Sequence, residues 1–180
     1  MGEIDQGMER ALYTKPIPRS DAARLRFLLR QEKGSTRALA VRLGVSQRAV
    51  QHWLKGDRHP RPDAGARIEA EVRRSWQPRV RRRLRRQAEA AGMVIHARAQ
   101  FGFTAAPGST DDPRLRLITQ HIPADTAAAL FAARDAGAPE ARQAGIIAEG
   151  LQEAYFKDGG RRAPGLLVEF TGIDFIDFGI

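Results

Sequence analysis

Residues 34–62, GSTRALAVRLGVSQRAVQHWLKGDRHPRP, leave little freedom about the fold around them. Ser35 or Thr36 can cap a helix that carries Leu39, Ala40 and Leu43 on one face. Gly44 then supplies a turn, Val45 fills the core, and Ser46 caps a second helix whose Val50, Trp53 and Leu54 point inward. Gly56 ends that helix. A small Ala40 where two helices cross, followed by Gly44 and the apolar Val50, is the spacing of a helix-turn-helix. The outward face of the second helix then carries Gln47, Arg48, Gln51, His52 and Lys55, side chains suited to base edges and phosphates. Thr36 and Ser46, at the two helix starts, join them as candidate DNA contacts.

The flanks extend this reading. Upstream, SDAARLRFLLRQEK is amphipathic through Ala22, Leu25, Leu28 and Leu29 and predicts a supporting helix. Downstream, GDRHPRPD is a basic, Pro-broken loop that brings Arg58 and Arg61 and leads into a helix over AGARIEAEVRRSW. Residues 73–86, RRSWQPRVRRRLRR, then hold eight arginines: Arg73, Arg74, Arg79, Arg81, Arg82, Arg83, Arg85 and Arg86. Like charges three or four residues apart repel on a helix, so such a run calls for an anion, and phosphate is the obvious one. Trp76 inside the run either packs on the domain, the commoner fate of a lone Trp, or stacks on a base.

Charge narrows the function classes. The net charge is +9, but residues 1–92 carry 22 Lys+Arg against 10 Asp+Glu, whereas residues 93–180 carry 8 against 11. That asymmetry places a DNA footprint in the first part and something else in the second, with an expected boundary near Ala91 and Gly92. With no cysteine there is no disulfide framework, thiol nucleophile or zinc finger, and His52, His59, His96 and His121 are too scattered for a metal centre. No apolar run has the length of a membrane helix, MGEIDQGMER lacks the basic-then-apolar order of a signal peptide, and Gln6 breaks the myristoylation pattern. A protein of the reducing cytoplasm is expected.

The second part changes period. In MVIHARAQFGFTA, Ile95, Ala97, Ala99, Phe101 and Phe103 alternate with His96, Arg98 and Gln100, which is strand spacing. PRLRLITQHIP, where Leu115 and Leu117 alternate with Arg114 and Arg116, predicts an antiparallel partner, with the turn-rich loop AAPGSTDD (105–112) between. Helices are expected over 124–136 and 139–156, the latter with Ile146, Ile147, Leu151 and Phe156 as its core stripe, and GLLVEFTGIDFIDFGI predicts one or two more strands. The fold class is therefore a mostly α helix-turn-helix domain (1–92) followed by an α+β domain (93–180) of order β-β-α-α-β with an antiparallel sheet.

Neither half shows an enzyme signature. There is no P-loop, G-x-S-x-G or H-E-x-x-H, and the acidic pairs Asp111 and Asp112, Asp174 and Asp177, and Glu149 and Glu153 have no spacing specific to a metal. Taken together, however, KGSTRALAVRLGVSQRAVQHWLKGDRHPRPD, SWQPRVRRR, FGFT followed by STDDPRLR, and EGLQEAYFKDGGRR with GLLVEFTGIDFID resemble the telomere terminal proteins of linear bacterial chromosomes and plasmids. The likeness runs over nearly the whole chain. It implies a protein primer, covalently joined to the 5′ ends of linear replicons through a threonine hydroxyl that accepts the first deoxynucleotide. Such a chain is a substrate rather than an enzyme. It has no cofactor of its own, and a partner DNA polymerase supplies Mg and the deoxynucleoside triphosphate.

The resemblance further implies telomeric DNA, single-stranded or folded back, as ligand, a telomere-associated protein as recruiter, and residence at replicon ends. Thr110 is the expected priming residue, since it matches the threonine-bearing segment of that family and sits in the turn-rich loop beside Asp111 and Asp112. Ser109, Thr104 and Thr119 are the other hydroxyls weighed. The segment IDFIDFGI and the helix over 124–136 are the surfaces weighed for the recruiter. Two other readings stand: a helix-turn-helix transcriptional regulator whose second half is a dimerisation or ligand module, and, more weakly, a nucleotidyl transferase that labels itself. A homodimer fits the first two.

Overall fold

Helix caps and left-handed glycines punctuate the first part of the chain, and the computed structural model, which describes residues 2–104, 114–156 and 167–180, follows that punctuation closely. The chain forms two compact units, one of residues 15–78 and one in which residues 1–14 join 79–180. The division thus falls after Pro78 rather than near Ala91 and Gly92. Residues 15–78 carry 15 Lys+Arg against 6 Asp+Glu and the other unit 15 against 15, so the entire net charge of +9 belongs to the smaller unit.

The unit of residues 15–78 is four helices: α2 (Asp21–Gln31), α3 (Thr36–Leu43), α4 (Gln47–Lys55) and α5 (Pro62–Ser75), numbered after an N-terminal α1 (Glu3–Ala11) that belongs to the other unit. Ser20, Ser35 and Ser46 each accept a hydrogen bond from the backbone N–H three residues on, at 3.3, 3.1 and 3.2 Å, which satisfies one orphan donor at each helix start. Gly44 ends α3 at φ 64°, a left-handed conformation that costs a glycine nothing and turns the chain into α4. Leu25, Leu28, Leu39, Ala40, Leu43, Val50, Ile68 and Val72 form the buried core, with Val45, Trp53 and Leu54 packed on its edge. Ala22, expected on the apolar face of α2, is exposed. Arg42 ties this core's rim together, reaching Glu71 and Glu32 (each 2.9 Å), Gln31 (3.0 Å) and Ser75 (2.5 Å). Burial opposes its charge, but the hydrogen bonds to Glu71 and Glu32 outweigh it and hold the guanidinium pKa above its ordinary value.

The other unit is α+β. It comprises α1, α6 (Pro78–Ala91, of which Arg79 onward belongs here), β1 (Met93–Thr104), β2 (Arg114–Ile122), α7 (Ala124–Asp135), α8 (Glu140–Leu151) running into a π-helical turn (Gln152–Phe156), and β3 (Leu167–Gly179). The sheet is antiparallel in the order β2-β1-β3, so the C-terminal strand pairs with β1 and not with β2. Ile95, Ala97 and Ala99 of β1, Ile118 and Ile122 of β2, and Ile176 and Phe178 of β3 face a core shared with Ile4 and Met8 of α1, Leu130 and Phe131 of α7, and Ile146, Ile147 and Leu151 of α8.

Two features depart from the sequence pattern. Leu115 and Leu117 stand on the opposite face of β2, 46% and 65% exposed, because the core register is set by Ile118 and Ile122. The N-terminal segment, in which no element is expected, is a helix lying against β3. Gly7 makes that approach possible, since a Cβ there would run into the Ile176 carbonyl. Arg10 holds Asp177 at 2.7 Å and Arg134 holds Asp5 at 3.0 Å, pinning α1 to β3 and α7.

Candidate nucleic-acid interface

The start of α4 is the most organised polar surface of the smaller unit. Gln47, Arg48, Gln51 and Lys55 are exposed along it, and His52, half-buried, lies 3.4 Å from Asp57. Spacing at three and four residues puts these side chains on one side of the helix while Val50 anchors the other. Thr36 plays a different part from a capping one. Ser35 caps α3, which frees the Thr36 hydroxyl to accept a hydrogen bond from Gln47 Nε2 at 2.9 Å. That bond fixes the side-chain amide at the first position of α4. The other amide proton and the carbonyl oxygen remain available for a purine edge, which is the donor–acceptor pair adenine needs.

Arginines that look alike in sequence have different surroundings. Arg73 hydrogen-bonds Glu69 one turn earlier, at 2.7 Å, and Arg74 pairs with Glu71 at 3.1 Å, so both have a carboxylate partner within α5, one that each shares with a second arginine, Arg24 at Glu69 and Arg42 at Glu71. On α6, Arg85 bonds Glu89 at 2.7 Å and Asp135 at 2.6 Å, with its guanidinium 4.9 Å over the Phe131 ring. The Glu89 hydrogen bond leads, with Asp135 adding to it against burial, and the pKa is raised. Arg81 lies 5.7 Å over the Tyr13 ring. Together with Leu84 and Ala88 these two arginines form the inward side of the helix. Arg79, Arg82, Arg83 and Arg86, at i, i+3, i+4 and i+7, are all exposed and form a single stripe on the outward side. Four guanidinium groups along one helix face, with no carboxylate partner among the described residues, match a row of phosphates.

The expected contacts therefore sort into groups. Thr36, Ser46, Gln47, Arg48, Gln51, His52 and Lys55 converge on one surface of the smaller unit, with Arg58 and Arg61 following in the loop that ends at α5. The α6 stripe belongs to the other unit. Arg73, Arg74, Arg81 and Arg85 have structural work to do. Trp76 packs, its indole N–H donating to the Lys15 carbonyl at 3.0 Å and its ring edge-on to Phe27 at 4.8 Å.

Among the hydroxyls, Thr110 and Ser109 lie outside the described residues, as do Asp111 and Asp112. Thr104 ends β1. Thr119 is exposed in the middle of β2 opposite His96, whose Nδ1 is 2.5 Å from the Thr119 oxygen. Sequence reasoning missed that pairing because 23 residues separate the two and only the strand register brings them together. Of the recruiter surfaces, Ile176 and Phe178 are buried in the core, while Asp174, Asp177 and Gly179 of that segment are exposed. Among the described residues no group of three or more His, Asp or Glu is placed to hold a metal ion, and no helix is long and apolar enough to cross a membrane.

A family model described as helix-turn-helix matches residues 28–73, from within α2 through most of α5. No curated protein and no solved structure matches the chain. Residues 28–73 are thus a helix-turn-helix domain, which supports DNA binding, in a chain whose other unit is α+β.

Proposed function

We propose that the chain is a telomere terminal protein, a DNA-bound primer whose own hydroxyl receives the first deoxynucleotide. The observation that carries this reading is the arginine stripe of α6. It gives the unit that bears the candidate hydroxyls its own grip on phosphate, in addition to the α4 surface that the other unit offers to bases. The resemblance over nearly the whole chain supports the same reading.

In the reaction the threonine oxygen attacks the α-phosphorus of a deoxynucleoside triphosphate. The new O–P bond replaces the bond to pyrophosphate, and the hydroxyl proton leaves to a base. A threonine hydroxyl is a weak nucleophile at neutral pH, so the two-metal site of the partner polymerase must activate it. Thr110, in the segment joining β1 to β2, is the proposed acceptor, with Ser109 and Thr104 as neighbours. Thr119 is the second reading, favoured by the imidazole at its oxygen, a group able to take the proton.

Incubation with polymerase, Mg, labelled deoxynucleotide and the telomere-associated partner should label the chain covalently. Thr110→Val should abolish the label and Thr110→Ser retain part of it, and the bond should be alkali-labile as an aliphatic phosphoester. Loss of label in Thr119→Val with retention in Thr110→Val would move the acceptor to Thr119. Absence of label on the wild-type chain under all partner conditions would return it to the transcriptional regulators, the reading that the helix-turn-helix match on its own favours.

A further inference from the structure

Beside the outward face of α4, the loop 56–61 and the start of α5 enclose a cleft of about 520 Å³, within the range of small-molecule sites, ~300–1,000 Å³. Its apolar lining is Val45, Ala49, Ala64 and the half-buried ring of Trp53. Arg48, Arg58 and Arg61 line it too. All three are exposed, and among the described residues none has a carboxylate partner. The one carboxylate in the lining, Asp63, is paired with Arg67 at 3.4 Å. The first turn of α5 also opens here, adding the positive end of a helix dipole.

An indole wall under a ring of uncompensated guanidinium groups is a mixed site. A simple phosphate would not use the wall, and an apolar ligand would leave the charges unmatched. We propose that this cleft binds a single phosphorylated nucleoside, with the base against Trp53 and the 5′-phosphate among Arg48, Arg58 and Arg61. The nucleotide comes either from an unpaired position in the bound DNA strand or from solution. Sequence pattern places Trp53 in the core, Arg48 among the side chains for base edges and phosphates, and Arg58 and Arg61 in a basic loop. Only the folding back of the 56–61 loop puts them around one space.

The inference rests on the DNA-binding reading and is independent of priming. Its test titrates the full-length protein with deoxyadenosine 5′-monophosphate, with deoxyadenosine, with a matched duplex and with the same duplex bearing one extrahelical deoxyadenosine. The fluorescence of Trp53 is the readout, and Trp53→Leu serves as the subtraction, its fold checked by circular dichroism. A strand source predicts that the bulged duplex binds about tenfold more tightly than the matched one, a typical gain from base–aromatic stacking. A solution source predicts saturable quenching by the monophosphate, at least about tenfold weaker for deoxyadenosine.

Either preference should vanish in Trp53→Leu when binding is read without that indole, by the anisotropy of a dye-labelled duplex or by calorimetric titration of the monophosphate. Should that variant fail to fold, Arg58→Gln with Arg61→Gln, both exposed, should erase the difference between the monophosphate and deoxyadenosine, or the preference for the bulge. No preference for the bulge together with no quenching by the monophosphate overturns the inference, as does equal binding with and without the phosphate. Loss of matched-duplex binding by the wild-type chain would instead strike the DNA-binding reading itself.

Discussion

The two units of this chain reach comparable order by opposite routes. In residues 15–78 five of the eight helix ends are set by a residue at that end, Ser20, Ser35 and Ser46 at the starts of α2, α3 and α4 and Gly44 and Gly56 at the ends of α3 and α4. In the other unit the decisive contacts join distant parts of the chain: α1 with β3, Arg10 with Asp177, Arg134 with Asp5. Local code thus sets most of the first unit's helix boundaries. The second depends on its two ends meeting, and among its described residues the α6 stripe is a cationic feature on a unit of balanced charge.

The comparison breaks most severely at Val50, which is fully buried. Val50→Asp places an unpaired charge in the core of the smaller unit and should cost more than about 4 kcal/mol. Both tryptophans, Trp53 and Trp76, lie in that unit, so fluorescence should report its unfolding, while far-UV circular dichroism retains the sheet of the other unit. Gly7→Val is the reciprocal test. It forces α1 off the Ile176 carbonyl and should destabilise the larger unit by about 2 kcal/mol, read as faster amide exchange in β3, with the tryptophan melt unmoved.

Smaller effects sharpen the picture of the α4 surface. Gln47→Ala should reduce discrimination between target and random DNA by about 1–3 kcal/mol. Thr36→Val, which only frees the Gln47 amide, should cost about 0.5–1 kcal/mol of the same discrimination. Competition binding against random duplex measures both. The least effect is expected from acid. The Arg73 hydrogen bond first, and then Arg24 against the opposing effect of burial, hold Glu69 below its ordinary carboxylate value. A lowered folded pKa stabilises the fold above the ordinary range and ceases to do so as pH falls through the folded value. The tryptophan melt should therefore drop modestly between about pH 5 and pH 3, and Glu69→Gln should lessen that drop.

What the sequence makes legible follows the same divide. Caps, turn glycines and apolar spacing are local signals, and they foretell α2 to α5 and the outward face of α4. The strand period of β1 is equally plain, because Ile95, Ala97 and Ala99 alternate without interruption. Register is not a local property, so the leucines of β2 read as core candidates although Ile118 and Ile122 take that place. The pairing of β3 with β1, the attachment of α1 and the meeting of Thr119 with His96 are hidden for the same reason. The arginine run shows that composition alone does not separate roles: eight like residues become two intrahelical pairs, two packing cations and one exposed stripe.

That division of the arginines also offers the most direct test of the central claim, that α4 reads DNA while the α6 stripe grips its phosphates. The measurement is the slope of log K against log salt for the full-length protein and two variants. Replacing Arg79, Arg82, Arg83 and Arg86 together by Ala should flatten the slope by about 3, at roughly 0.7–0.9 per phosphate released. Replacing Arg81 and Arg85, which pack on Tyr13 and Phe131, should alter it by less than about 1 while weakening the larger unit. An unchanged slope in the four-arginine variant, or a larger change in the packing pair, would contradict the account.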